Sequence, residues 1–313
     1  MNEIMIGDSV TLIKKIADEF IHAIVSDIPY GIGCAEWDIL HDNKNSAFLG
    51  TSKAQLKAGN VFKHRGKPLN GWSEADKNIP EEYQNWCQTW ANEWLRVLKP
   101  GASAFVFAGR RMAHRCICAL EDAGFIFKDM IAWEKEQAPH RAQRISIIYK
   151  RRGDIENFQR WQNWRVGNLR PIFEPVLWFM KPYTIGGTLA DNVRDYGVGA
   201  FNNEAWKKYS ADSANKLKIH SQKCDHGLHP AQKPLELLRA LIELVTVEGQ
   251  IILDPFCGSG STLVAAKQLG RNFIGIESDK NFADIANKRL NDVNFQNLPK
   301  KFNDNIVLNL CAG

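Results

Sequence analysis

Short apolar runs alternate with stretches of helical period along most of the chain. Ile4-Met5-Ile6 stops at Gly7-Asp8, and Ser9 is placed to cap a helix toward Phe20. His22–Asp27 forms a second apolar run, read as a strand. Residues 34–80 are polar with scattered glycines and read as an insertion. Pro80 opens a helix in which Tyr83, Trp86, Cys87, Trp90, Trp94, Val97 and Leu98 recur at three- and four-residue steps, and Lys99-Pro100-Gly101 ends it. Strands are expected over 102–109, 125–133 and 174–182, with a helix over 111–123. Residues 183–228 are rich in glycine, asparagine, aspartate and lysine and lack a period, which predicts an irregular region. Then come a helix over 234–246, a strand over 251–254, a helix over 261–269, a strand over 272–277 and a helix to about Leu290. Strand–helix alternation of this kind predicts an α/β fold.

Composition narrows the class without naming a function. With 313 residues, 44% hydrophobic and 24% charged, the chain has length for one large or two small domains. No apolar run approaches the ~20 residues of a membrane span, so no membrane association is expected. Residues 1–10 lack the pattern of a secretory signal. Seven cysteines without framework spacing fit reduced thiols and a cytoplasmic protein. The net charge of +5 is mild, but its distribution is uneven. Between 141 and 170 lie Arg141, Arg144, Lys150, Arg151, Arg152, Arg160, Arg165 and Arg170 against Asp154 and Glu156, interleaved with Phe158, Trp161 and Trp164. Basic residues among aromatics suit a nucleic acid; a solvated loop with packing tryptophans is the alternative.

The densest chemistry lies in Ile252–Thr262. A strand ends in Asp254, Gly258 and Gly260 let the backbone turn tightly beside a ligand, and Ser261 and Thr262 are placed to cap the next helix, whose amides favour an anionic group. Glu277 ends the following strand, where an acid can hydrogen-bond a ribose diol. A P-loop would need a lysine that is absent, and a dinucleotide turn would need a third glycine where Leu263 stands. What remains is an adenosyl cofactor without pyrophosphate, S-adenosylmethionine, or a purely structural turn. Asp27-Ile28-Pro29-Tyr30 closes another strand. A carboxylate and a backbone carbonyl there can accept the two N–H bonds of a nucleobase amine and localise its lone pair. Proline fixes the chain, and tyrosine offers a face on which an extruded base stacks. A strand-end turn with a capping acid is the simpler reading of those four residues alone.

Taken together and in this order, the two motifs resemble the β class of amino-methylating DNA methyltransferases, in which the catalytic motif precedes the target-recognition region and the cofactor motif. Further resemblance lies in Gly7-Asp8, Trp94–Gly101, Trp133-Glu134-Lys135, Glu174–Lys181, His229-Pro230-Ala231-Gln232-Lys233-Pro234 and Glu277. It implies a seven-stranded, mostly parallel, Rossmann-like sheet, circularly permuted so that the chain ends fall between the strands at 272–277 and 4–6. Residues 1–182 would be the catalytic half, with the insertion 34–80; 183–228 the target-recognition region; and 229–313 the cofactor-binding half. The implied catalytic residues are Asp27, Pro29 and Tyr30. The implied cofactor contacts are Asp8, Asp27, Lys233, Asp254, Phe256, Gly258, Ser259, Gly260 and Glu277. Arg141, Arg144, Arg151 and Arg152 are the DNA-binding candidates. The family usually has proline where this chain has Ile28.

Within the family it resembles, an aspartate at the first motif position goes more often with adenine N6 and a serine with cytosine N4, so the resemblance implies a sequence-specific adenine-N6 DNA methyltransferase, with cytosine N4 as the alternative. Protein-glutamine methyltransferases carry a similar catalytic motif but usually in the opposite order, and a DNA-binding subunit without activity would not need Asp27 and the glycine loop intact. Double-stranded DNA is the expected partner; a homodimer and a cognate restriction endonuclease stay open. No metal site is expected: Cys224, His226 and His229 offer too few ligands, and His229 belongs to the motif above.

Overall fold

A computed structural model describes residues 2–31, 74–135, 142–210, 213–219 and 232–293. All seven expected strands are present: β1 (Asn2–Ile6), β2 (Ile21–Asp27), β3 (Leu98–Phe107), β4 (Ile126–Glu134), β7 (Phe173–Met180), β9 (Ile251–Asp254) and β10 (Asn272–Glu277). A two-stranded ribbon, β5 (Gln143–Arg144) and β6 (Arg165–Val166), lies apart from them. The main sheet runs β1-β10-β9-β2-β3-β7-β4, and a three-residue strand, β8 (Lys216–Lys218), extends it beside β4 as an eighth among the described residues. Only β7 is antiparallel to its neighbours within this sheet. Among the described residues the first and last strands, β1 and β10, pair in parallel, from Asn2 opposite Phe273 to Ile6 opposite Glu277, which is the circular permutation in register form.

Helices cover both faces. On one lies α2 (Glu74–Val97), with Ile79, Tyr83, Cys87, Trp90, Ala91, Trp94 and Val97 buried at helical spacing; α3 (Ala113–Asp122) packs beside it. The helix starts at Glu74, six residues before Pro80. An interior proline removes one hydrogen bond, and here the buried stripe that follows holds the helix through it. On the other face α8 (Leu235–Val245) and α9 (Ser261–Gln268) pack over β2, β9 and β10, and α10 (Lys280–Asn291) packs against α9 and β1.

Two capping expectations are corrected. Asp8, not Ser9, caps the short helix α1 (Ser9–Leu12), its carboxylate accepting from Thr11 N at 2.9 Å; a 3-10 turn at Ile13–Lys15 ends the segment well short of Phe20. At α9 the cap is Gly260 in the left-handed region (φ 75°) rather than a serine or threonine hydroxyl.

The region from 183 to 219 is more ordered than its composition suggests. It holds α6 (Leu189–Tyr196), α7 (Asn203–Lys207) and β8, and it packs on the sheet: Asn192 is buried and donates to Pro100 O (2.9 Å) and Val198 O (2.8 Å). The segment between β4 and β7 projects instead. It contains the ribbon together with α4 (Ile145–Arg152) and α5 (Ile155–Arg160), buries only Ser146 among its described residues, and is tied at its base by Lys135 N donating to Ile172 O at 2.6 Å. Among the described residues, no helix is long and apolar enough to cross a membrane.

Candidate active site

Strands β9 and β2 are neighbours, and they are where the strand order reverses direction, with β10 and β1 on one side and β3 on the other. Ligands of open α/β sheets bind outside the carboxyl ends of strands at such a switch point. A cavity opens there. It is lined by Asp27, Ile28, Pro29, Tyr30 and Lys233 on one side and by Asp8, Asp254, Phe256, Gly258, Ser259, Glu277 and Phe282 on the other.

On the glycine side the loop is held from three directions. Glu277 Oε2 accepts from Gly258 N at 2.8 Å, and its Oε1 accepts from Asp279 N at 2.8 Å. Arg289 donates to Ser259 O (2.5 Å) and Ser261 Oγ (3.1 Å) from behind. Gly258 (φ 50°) and Gly260 (φ 75°) take the left-handed backbone that glycine tolerates. Gly260 is not one of the cavity's lining residues: a Cβ there would meet Ala286 Cβ at 2.7 Å, so its smallness lets α10 approach the loop. The Phe256 ring packs against Trp86, Trp90 and Trp94, with centroids 5.8–6.3 Å apart, and so joins the cavity wall to the core.

Asp254 sits between the motifs. Its Oδ1 accepts from Ser26 Oγ (2.7 Å) and Phe256 N (3.2 Å), which stitches β9 to β2. Burial outweighs these bonds and pushes its carboxyl up to about 7. The folded protein then binds this proton more tightly than the unfolded chain does, so stability falls as pH rises from about 4 to about 7. Asp254→Asn cannot ionise and is expected to flatten this loss, which is ~4 kcal/mol at most for a shift of this size. Urea unfolding of both proteins at about pH 5 and about pH 8 checks this; parallel pH trends would contradict it.

On the other side Asp27 ends β2 opposite Phe107. Its Oδ2 accepts from the Lys233 ammonium, while its Oδ1 is buried without a hydrogen-bond partner among the described residues. Burial raises the Asp27 carboxyl, Lys233 opposes this, and Glu174 adds to it. The Tyr30 hydroxyl donates to Glu174, and burial together with the Asp27 and Glu174 charges keeps it a neutral donor. Glu174 also accepts from Lys135. Burial works against its charge, but Lys233 and Lys135 hold it at about 2. Pro29 O accepts from the Tyr83 hydroxyl at 3.1 Å, which anchors the turn to α2, and Ile28 is buried.

The cavity therefore gathers Asp27, Pro29 and Tyr30 with Asp8, Lys233, Asp254, Phe256, Gly258, Ser259 and Glu277. Arg144, Arg151 and Arg152 lie elsewhere, exposed on the projecting segment between β4 and β7. Arg141 lies outside the described residues, as do Cys224, His226 and His229. Glu174 and Lys135, which lie in stretches that carried the resemblance but were given no role, complete the site together with Tyr83 and Arg289. Glu174 was visible as an acid opening an otherwise apolar strand; the others carry no such signal.

Residues 21–288 match the family model described as DNA methylase, the N6/N4 methyltransferases. The chain belongs to this DNA methylase family. The Type II methyltransferase M.HindIII of Haemophilus influenzae is 58% identical over 289 residues, covering 91% of this chain and 93% of that protein. Among solved structures, the PvuII DNA methyltransferase (cytosine-N4-specific) superposes with TM-score 0.60 at 16% identity, over 94% of this chain and 89% of that one. The M1.HpyAVI–SAM complex superposes with TM-score 0.52 at 24% identity, over 93% and 100%. These two similarities establish the Rossmann-like fold. The methyl donor of the DNA methylase family is S-adenosylmethionine, and the cavity fits it. The glycine turn leaves room for close approach, Glu277 presents a carboxylate beside that turn, and Phe256 and Phe282 supply an apolar wall.

Proposed function

We propose that this protein transfers a methyl group to adenine N6 in a specific sequence of duplex DNA. The observation that carries the reading is the half-satisfied Asp27: one oxygen is held by Lys233, and the other is buried, without a hydrogen-bond partner among the described residues, in the same cavity as the glycine loop. Bound S-adenosylmethionine supplies an electrophilic methyl carbon on a sulfonium. Asp8, Phe256, Gly258, Ser259 and Glu277 would hold it, with Glu277 taking the ribose hydroxyls. Asp27 Oδ1 accepts one N–H of the base amine. Pro29 O is engaged by Tyr83, so the carbonyl of Ile28 takes the other N–H. Together they draw the lone pair out of the ring and aim it at the methyl carbon. The Tyr30 ring, fixed through its hydroxyl, stacks on the extruded base. The aspartate in the motif favours adenine over cytosine.

The segment between β4 and β7 meets DNA in this reading. Arg144, Arg151, Arg152, Arg165 and Arg170 are exposed there beside Trp164, which is 62% exposed. Base contacts would come from 183–228 or from the 34–80 insertion, of which residues 34–73, 211–212 and 220–228 lie outside the described residues. Type II naming of the close relative supports a cognate restriction endonuclease as companion. Arg151→Ala and Arg152→Ala should each lower the salt slope of DNA binding by ~1 while weakening all sequences alike. An unchanged slope would make these charges a solvated face.

The reading as a whole is tested by incubating the protein with methyl-labelled cofactor and either duplex DNA or a protein extract. Label is expected in DNA alone; label in protein, or in neither, would overturn it.

A further inference from the structure

A chain of alternating buried charges connects the base of the projecting segment to the catalytic motif. Lys135 donates to Glu174 Oε2. Glu174 Oε1 accepts from Tyr30 and lies 3.6 Å from Lys233 Nζ. Lys233 donates to Asp27 Oδ2. Lys233 is 8% exposed and Glu174 9%. Two charges this deep are tolerated because each is flanked by opposite ones. Both ion pairs of Lys233 among the described residues run to Asp27 and Glu174, not to the glycine loop. The ammonium also lies 5.4 Å from the centre of the Tyr30 ring and 5.3 Å from that of Phe107, so aromatic faces close the site around it.

We propose that Lys233 and Glu174 are positioning residues for the amine-accepting carboxylate: Lys233 grips Asp27 by Oδ2 so that Oδ1 alone is left for the substrate N–H, and Glu174 anchors both Lys233 and the Tyr30 hydroxyl. This rests on the reading of Asp27 as the acceptor. It makes Lys233 an arm of the catalytic motif, whereas its place in the His229–Pro234 motif suggested a cofactor contact.

The network has a signature that a merely structural role lacks. The charged and titratable groups facing Asp27 are Lys233, Glu174, Tyr30 and, behind it, Asp254. Lys233 favours the ionised carboxylate and Glu174 opposes it. Lys233→Met removes the favourable charge, so Asp27 takes up its proton at higher pH. The acid limb of kcat/KM should then move up by ~1 pH unit or more. Glu174→Gln keeps an oxygen for Tyr30 but removes the opposing charge, so the limb should move down. Opposite displacements from two near-isosteric changes cannot come from general loosening of the fold.

The experiment is the pH profile of both variants in the full chain, with cofactor affinity by calorimetry and the Asp27 carboxyl titration followed by carbon-13 NMR. Limbs displaced in opposite directions, with cofactor affinity within about threefold of the parent, are the expected result. Limbs that stay put or move together overturn the proposal. So does a Lys233→Met variant that loses about tenfold or more in cofactor affinity with its limb unmoved, since Lys233 would then serve the cofactor. The NMR titration reads the coupling without turnover. If it shifts oppositely in the two variants while Asp27→Ala retains activity, the coupling stands and the catalytic reading of Asp27 is what fails.

Discussion

Asp27→Ala is expected to lower turnover by ~10²-fold or more, the scale on which a positioned acid–base or electrostatic group acts. The expectation follows from what the side chain does and does not touch. Its Oδ2 is committed to Lys233, its Oδ1 has no partner among the described residues, and neither oxygen supports the glycine loop, which hangs on Glu277 and Arg289. Removing the carboxylate deletes the acceptor and leaves the cofactor side standing, so cofactor affinity should change by less than about tenfold. The fold should survive as well, because Lys233 keeps Glu174 as a counter-charge. Asp27→Asn should fare little better. If its oxygen stays toward Lys233, an amide N–H₂ points at the substrate amine, and if it flips, two donors meet at Lys233. Single-turnover kinetics at saturating cofactor measure this; near-parental rates in a folded variant would remove the assignment.

Glu277→Ala should produce the complementary failure. Both carboxylate oxygens anchor backbone at the cofactor turn, through Gly258 N and Asp279 N, each at 2.8 Å. Hydrogen bonds to a charged group contribute roughly 1.5–3 kcal/mol each, so losing the acceptor and loosening the turn should weaken S-adenosylmethionine binding by ~10²-fold. Turnover at saturating cofactor should suffer less, since the Asp27 side is untouched. Calorimetry with the free cofactor reads the affinity, and circular dichroism checks the fold. An unchanged dissociation constant would reduce the glycine turn to architecture.

The elements legible in the sequence are those whose burial is periodic and long. The seven strands read as apolar runs because helices cover both faces of the sheet, and α2 announced itself through the spacing of Tyr83, Trp90 and Trp94. What stayed hidden was short or dependent on distant partners. Lys216–Lys218 buries one side chain, Leu217, too little for a pattern. In α6 the apolar positions Leu189, Val193 and Tyr196 share one face, but the helix spans only two turns and its buried residue is Asn192, whose amide is satisfied by the carbonyls of Pro100 and Val198. The cap at Asp8 rather than Ser9 turns on one residue of offset, which local propensity does not resolve because both types cap well. The same division holds in the cavity. Asp27, Gly258 and Glu277 stand at strand ends and loops that the sequence marks. Their partners Lys233 and Tyr83 come from 206 residues away and from a helix core respectively. Gly260 is the reverse case: a motif glycine whose space is filled by Ala286 of α10, a contact that only the folded chain creates.

The most direct test of the central claim is the chemical identity of the methylated nucleoside. Duplex DNA treated with the protein and methyl-labelled S-adenosylmethionine is digested to nucleosides, and the labelled species are separated by chromatography and identified by mass. The account predicts label in N6-methyldeoxyadenosine, dependent on Asp27. Label in N4-methyldeoxycytidine would contradict the adenine assignment, and label that persists in Asp27→Ala would contradict the mechanism built on that carboxylate.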